Sequence, residues 1–351
     1  MMRFPAIHKA ALVIRIGRVV HLPIALRPAA VALGLVIVLA LAAMISLQLG
    51  SSAISLGQVL HWLLPFTTTD PETASIMRLR WPRIAVAILG GAMVSVSGYL
   101  LQVVARNGLA DPGLLGISQG SMVAIILGGA LFGLSPAWLA WVGLLGGFLT
   151  AVIVLTLAYR LASATGLILV GLAVGIVLGA AIEIVMVQGG MLQFARLLAW
   201  SHGSLTAASP ASTGMMALWA AILLPLCLLV SGRMMPLLLG HEQAAGLGAS
   251  PRRLSLGLTL LAAALVAPVV AAVGPISFLG LIAGHISRRL VGERPTAVVP
   301  VAMLCGALIL LSADTVGRTL FLPVIVPAGI LVSIAGVLTF LVAARLSRTR
   351  Y

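Results

Sequence analysis

Arg80-Trp81-Pro82-Arg83 opens the stretch that decides the fold, which runs on to Ser121. It leads into a glycine-rich apolar helix and breaks at Arg106-Asn107-Gly108-Leu109-Ala110-Asp111-Pro112. It then restarts as Gly113-Leu114-Leu115-Gly116-Ile117-Ser118. A charged loop, a helix of membrane-crossing length, a polar break and a second helix fit within about forty residues, at about 20 residues per span. This order of elements suggests a transport protein.

Of the 351 residues, 61% are hydrophobic and 8% are charged. A water-soluble chain has no place for so much apolar surface, whereas a polytopic membrane protein has. At about 20 residues per span plus short loops, the length accommodates about ten helices and leaves no room for a soluble catalytic domain. The net charge of +14 is scattered between apolar runs, which points away from nucleic acid and toward Arg-rich loops on one membrane face. Cys227 and Cys305 lie inside apolar runs and have neither disulfide nor metal-ligand spacing. They are read as packing residues, as are the 13 Met.

Residues 1–27 form a basic N-terminal segment with Arg3, Lys9, Arg15, Arg18 and Arg27 and no acid. Within it, residues 11–20 are read as a short amphipathic helix on the membrane rather than as part of a cleaved signal peptide. Residues 28–346 are read as a single transmembrane domain and 347–351 as a basic tail. The expected fold is an all-α bundle with spans at about 30–49, 83–104, 114–133, 136–158, 166–187, 213–231, 254–273, 276–290, 298–313 and 327–344. Polar or irregular stretches separate them at 51–80, 189–212 and 233–253, with a break at 314–323.

With ten spans, the segments on the side of the termini hold 16 of the 21 basic residues. The other side holds Arg78, Arg80, Arg83, Arg196 and Arg318. This asymmetry places both termini in the cytoplasm. Gly171, Gly175 and Gly179 recur at four-residue spacing, as do Gly129/Gly133 and Gly143/Gly147, which is the pattern of close helix packing in membranes.

No catalytic constellation, phosphate loop or His/Cys cluster is present, and no cofactor is expected. Among the seven acids, Glu183 alone lies well inside an expected span. Such a group is expensive in the membrane. It is read as a structural, hydrogen-bonded Glu, with proton coupling as the alternative. Arg80, Arg83 and Arg318 lie beside helix ends on the face depleted in positive charge. Guanidinium forks suit a partner's carboxylates, and lipid-headgroup anchoring is the competing reading. On the opposite face, residues 240–248 interrupt the spans. There Ala244, Ala245 and Leu247 are read as one small apolar face of a short helix ended by Gly248, a docking element or an ordinary loop.

Together these segments resemble the FecCD permease family, the membrane subunits of ABC importers for iron-siderophores, haem and vitamin B12. Four motifs carry the resemblance, over about residues 80–345. The first joins Arg80-Trp81-Pro82-Arg83 to Gly90-Gly91-Ala92, Ser97-Gly98, Gln102 and the 106–116 break. The second is 240–248. The third is Gly274-Pro275-Ile276-Ser277-Phe278-Leu279-Gly280-Leu281 with His285-Ile286-Ser287-Arg288-Arg289. The fourth is Ala313-Asp314 with Arg318, followed by Val326-Pro327-Ala328-Gly329.

The resemblance implies a ten-helix, vitamin B12 permease-like subunit that dimerises with itself or a similar subunit in a bacterial inner membrane. Two cytoplasmic ATPase subunits would bind one face and a substrate-binding protein the other, with no nucleic acid. It implies binding-protein docking at Arg80, Arg83 and Arg318. It implies ATPase coupling at Gly240, Glu242, Ala244, Ala245, Gly246, Leu247 and Gly248, and a translocation gate at Asn107, Leu109, Ser163 and Thr165. Ferric siderophores are the expected cargo, with haem or vitamin B12 as alternatives. The chain departs from the family pattern at Gly108, where Pro is usual, at Gly284, where Pro is usual before His285, and at Leu338, the Pro position of the C-terminal Gly-x-Pro-x-Phe. An ATP-independent carrier or channel would have no use for the 240–248 segment, and a structural scaffold would need neither docking face.

Overall fold

In the computed structural model the described residues are 11–16, 20–50, 52–64, 70–113, 115–160, 164–188, 198, 200–246, 248 and 250–348. Strands β1 (Ala11–Ile16) and β2 (Val20–Ala25) pair antiparallel, where a short amphipathic helix is expected.

All other regular structure is helical: α1 (Leu26–Gln48), α2 (Leu56–Leu63), α3 (Pro71–Ala105), α4 (Ile117–Phe132), α5 (Pro136–Arg160), α6 (Ala164–Gln188), α7 (Pro210–Ser231), α8 (Met235–Leu239), α9 (His241–Gly246), α10 (Pro251–Val273), α11 (Leu279–Val291), α12 (Pro295–Thr319) and α13 (Ala328–Arg348), with two short 3-10 turns. Among the described residues six helical runs are long and apolar enough to cross a membrane: α1, α3, part of α5, α7 through α8, α10 and α12. Shorter apolar segments lie in α4, α6 and α13. With α11 these make ten bundle helices among the described residues, as expected from the sequence.

Several starts have local causes. Pro71, Pro210, Pro251 and Pro295 each open a helix, where a missing N–H has no intrahelical partner to lose. Ser209 and Ser212 form a reciprocal capping pair at the start of α7.

Helix α3 is the axis of the molecule. Its most apolar window is 83% buried, against 11% for α1. It packs along α12, α10, α11 and α7, while α4 and α5 pack against α10 and α6 packs on α4 and α5. The bundle leaves Leu33, Ile37 and Leu41 of α1 and Leu229 of α7 facing outward, as suits a hydrocarbon solvent. Backbones touch where α3 crosses α11: a Cβ on Gly98 would lie 2.5 Å from the Gly280 Cα. Of the glycines read as packing residues most do pack, but a Cβ on Gly133 or Gly179 would meet nothing within 4 Å. Gly171 and Gly175 of α6 receive the loop at Gly116, and Gly143 and Gly147 of α5 receive Ile125 and Ser121 of α4.

Two charged stretches expected as breaks are helical. Helix α3 begins at Pro71, so Arg80-Trp81-Pro82-Arg83 lies inside it. At 1.5 Å per residue its 35 residues span about 50 Å, well beyond a ~30 Å hydrocarbon core. Arg83 then lies about 33 Å from Ala105, roughly one core thickness away. Helix α12 likewise continues through Asp314 and Arg318 to Thr319.

Candidate functional site

At one end of α3, two guanidiniums meet one carboxylate and a third caps the end of α1 beside them. Arg83 grips Asp314 in a fork, its Nε 2.9 Å from both carboxylate oxygens and its Nη2 2.7 Å from Oδ1. Arg318, one turn beyond Asp314 on α12, places its Nε 3.6 Å from Oδ2. Asp314 is 1% exposed. Bidentate pairing of this kind is how a buried carboxylate is accommodated.

The other donors of Arg318, and those of Arg80, close the end of α1. Arg80 Nη1 donates to the carbonyls of Leu47 (2.7 Å) and Gln48 (3.1 Å), and its Nη2 to Ser52. Arg318 Nη1 donates to Leu49 (2.6 Å), and its Nη2 to the Ser46 carbonyl and hydroxyl. The last carbonyls of a helix have no intrahelical donors and carry its negative pole, so two cations satisfy both needs. The three expected docking arginines are thus brought together, but inward. Arg80 and Arg318 are each 8% exposed, whereas Arg83 retains 16%.

At the opposite end, α3 stops at Arg106, which adopts a left-handed conformation at φ 47°. Asn107 Oδ1 accepts the Leu109 N–H at 2.9 Å, a local turn that exposes Leu109. Gln102 and Arg288 form a half-buried pair beside it: Arg288 Nη1 donates to Gln102 Oε1 at 2.5 Å, and Gln102 Nε2 donates to the Gly280 carbonyl at 3.2 Å. Together with Tyr99, Arg106, Asn107, Gly108 and Glu293 they line a cavity of about 250 Å³.

The short helix expected in 240–248 is α9, preceded by Gly240 at φ 113°. A Cβ on Gly240 would lie 3.2 Å from Arg106 Nη1, so the break after α3 touches the start of α9. The apolar face expected there is divided. Ala244 is fully buried and Ala245 exposed, because neighbouring helical positions point about 100° apart. Gly246 and Gly248 are exposed. Leu247 and Ser163 lie outside the described residues, as do the side chains of Glu242 and Thr165. Glu183 is on the exposed side of α6. Among the described residues it has no hydrogen-bond partner, contrary to the structural reading from sequence.

A larger cavity, about 400 Å³, adjoins the break between α3 and α4 and is lined by Leu109, Asp111, Gln119, Ser277, Phe278 and Phe340 among others. Asp111 sits in the loop between spans and is 3% exposed. Burial pushes its carboxyl up to about 6, against the lowering effect of the Gly113 and Phe278 amides. In the sequence Asp111 is one residue of the polar 106–112 break. Nothing in the local sequence distinguishes a buried loop acid from an exposed one.

Residues 37–345 match the profile of the FecCD transport family. The chain belongs to that family. The FecCD match begins before the 80–345 stretch on which the resemblance rests and takes in most of α1. The chain is 37% identical to the Fe(3+)-citrate import system permease protein YfmE of Bacillus subtilis (strain 168), over 90% of this chain and 94% of that relative. It is 34% identical to the hemin transport system permease protein HmuU of Yersinia pestis, over 86% and 91%. A solved structure described as an inward-facing, metal-chelate type ABC transporter superposes with a TM-score of 0.79 at 28% identity, covering 91% of this chain and 99% of that one. The FecCD chain is therefore a multi-pass membrane protein of the permease type.

Two departures from the FecCD pattern meet at one place. A Cβ on Gly284 would lie 2.7 Å from Gln102 Oε1, and one on Gly108 would lie 3.3 Å from Arg288 Nη2. Both glycines leave room for the Gln102–Arg288 pair, where a proline ring would crowd it.

Proposed function

We propose that this chain is the permease subunit of an ATP-driven ABC importer for ferric siderophores, embedded in a bacterial inner membrane with both termini cytoplasmic. It works as a dimer with a second copy or a similar subunit. Two ATPase subunits dock on the cytoplasmic face and a substrate-binding protein on the outer face. The observation that carries this reading is α3 itself: one buried helix joins a cluster of guanidiniums at one end to the α9 segment at the other, with an apolar, glycine-packed body between.

In this reading the binding protein's carboxylates approach Arg83, the guanidinium with most exposed surface. Arg80 and Arg318 hold α1 and α12 in place around it. Residues 240–248, with Gly240, Glu242, Ala244, Ala245, Gly246, Leu247 and Gly248, receive the ATPase. Ala244 anchors α9 to the bundle, and Ala245 and Gly246 face the partner. Movement of α9 reaches the gate at Asn107 and Leu109 through the Gly240–Arg106 contact, with Ser163 and Thr165 as the second gate element. Iron-citrate and hemin are named for relatives, so chelated iron is the cargo class, and siderophore is favoured over haem or vitamin B12.

Competitive binding tests the cargo. The binding protein paired with this permease, in an equilibrium assay, should take a ferric siderophore from a panel in preference to hemin and cobalamin. Preferential capture of hemin or cobalamin would reassign the cargo. For docking, Arg83→Glu should weaken binding-protein association while the purified subunit still folds. Unchanged association in that folded variant would return Arg83 to a purely structural role.

A further inference from the structure

We propose that Asp111, Gln119 and Ser277 form a binding site for a monovalent metal cation, at the break between α3 and α4. The proposal does not rest on the transport reading. Asp111 Oδ1 accepts the Gly113 N–H at 2.9 Å, but Oδ2 is buried with no donor among the described residues. Gln119 Oε1 is also buried with no donor among them. Both residues line the same 400 Å³ cavity. Ser277 joins them: its Oγ and Asp111 Oδ1 each lie 3.1 Å from the point where a Cβ on Gly113 would stand. Three oxygen-bearing side chains from three chain segments thus line one cavity, and Asp111 and Gln119 each bring to it an oxygen without the donor that a buried acceptor requires.

The charge balance points the same way. The chain carries a net +14, yet no basic side chain lines this cavity or forms an ion pair with Asp111 among the described residues. The amino-terminal end of α11, reached through the Phe278 amide, offers partial positive charge only. An ionised carboxylate in an apolar pocket needs a full counter-charge. Leu109, Leu172, Ile176, Leu281 and Phe340 supply the apolar wall.

The ligand set defines the cation. One carboxylate, one amide oxygen and one hydroxyl are hard donors carrying a single charge, which suits a monovalent metal ion. Among the described residues no group of three His, Cys, Asp or Glu side chains gathers, as a divalent centre would favour. The backbone invests in this arrangement. Phe278 is held at φ 65°, an unfavourable conformation for a bulky side chain, and it sets Ser277 and its own amide against Asp111.

The test is the thermal unfolding midpoint of the purified full chain in NaCl, KCl or N-methyl-D-glucamine chloride at equal ionic strength and pH 7.5. The midpoint should rise saturably with Na⁺ or K⁺ and not with the organic cation, and Asp111→Asn should abolish that difference. Identical midpoints in all three salts, or a response that survives in Asp111→Asn, would overturn the proposal. If Asp111→Asn does not fold, Gln119→Leu and Ser277→Ala retain the carboxylate. Each should raise the half-saturating concentration roughly tenfold, the loss of one ligand. Unchanged half-saturation in both variants would equally overturn it. So would an infrared band of protonated carboxylic acid at pH 7.5 that is absent in Asp111→Asn. No uptake is measured, so failure here leaves the transport reading standing.

Discussion

Asp314→Asn removes the only carboxylate from a cluster of two close guanidiniums and keeps its shape. The wild-type pair is a fork with contacts of 2.7 and 2.9 Å, and the acid is 1% exposed. Breaking a buried ion pair by removing one partner costs about 3–5 kcal/mol, chiefly because the other charge is left buried. Two features favour the lower end. Arg83 is 16% exposed and gains some water, and Arg318 still donates to the α1 carbonyls. The expected loss is about 3 kcal/mol, roughly a hundredfold in the unfolding equilibrium. Reversible unfolding of the purified subunit in mixed detergent–SDS micelles reads this directly. The double variant Arg83→Leu/Asp314→Leu should lose less than the two single changes combined, because the pair is coupled. A loss under about 1 kcal/mol for Asp314→Asn, or strict additivity in the cycle, would refute the idea that this cluster ties α3 to α12.

Gly98→Val should separate α3 from α11, since even a Cβ meets the Gly280 Cα at 2.5 Å, and should cost at least about 1–3 kcal/mol in the same assay. Gln102→Leu should remove the Arg288 Nη1 hydrogen bond, leaving Arg288 only its 3.9 Å pairing with Glu293, and loosen the break after α3, read as faster hydrogen exchange at residues 103–109. Unchanged exchange would separate that pair from the gate. The pH prediction concerns Asp111, whose carboxyl is raised from 3.8 to about 6 by burial. Its protonated form favours the folded state, so its stabilising contribution is complete below 3.8 and is lost as pH rises through about 6. In sodium- and potassium-free buffer, wild type should therefore lose stability relative to Asp111→Asn across that window. A difference independent of pH would contradict the burial of the carboxyl.

The ten-helix bundle was legible because each span writes a long apolar run, and the glycine spacing marked the contacts at Gly143, Gly147, Gly171 and Gly175 but not the Gly98–Gly280 crossing. Where the expectation failed, charge was the reason. Arg80, Arg83, Asp314 and Arg318 look like loop residues when each segment is read alone. In the structure Arg83 and Asp314, 231 positions apart, neutralise one another, and the carbonyls ending α1 absorb Arg80 and Arg318. That compensation lets both helices run on beyond the hydrophobic core. The same blindness to long-range partners hid Asp111: its isolation depends on Gln119 and on Ser277 from a distant loop. The 240–248 segment was legible as a short helix, but which alanine faces inward depends on the bundle beneath it.

Uptake of a radiolabelled ferric siderophore into proteoliposomes tests the central claim most directly. The vesicles carry the permease with its ATPase subunits, with ATP enclosed and the loaded binding protein outside. The account predicts uptake that requires the enclosed ATP and disappears when residues 240–248 are scrambled. Uptake that continues without ATP, or is driven by an imposed ion gradient alone, would contradict it.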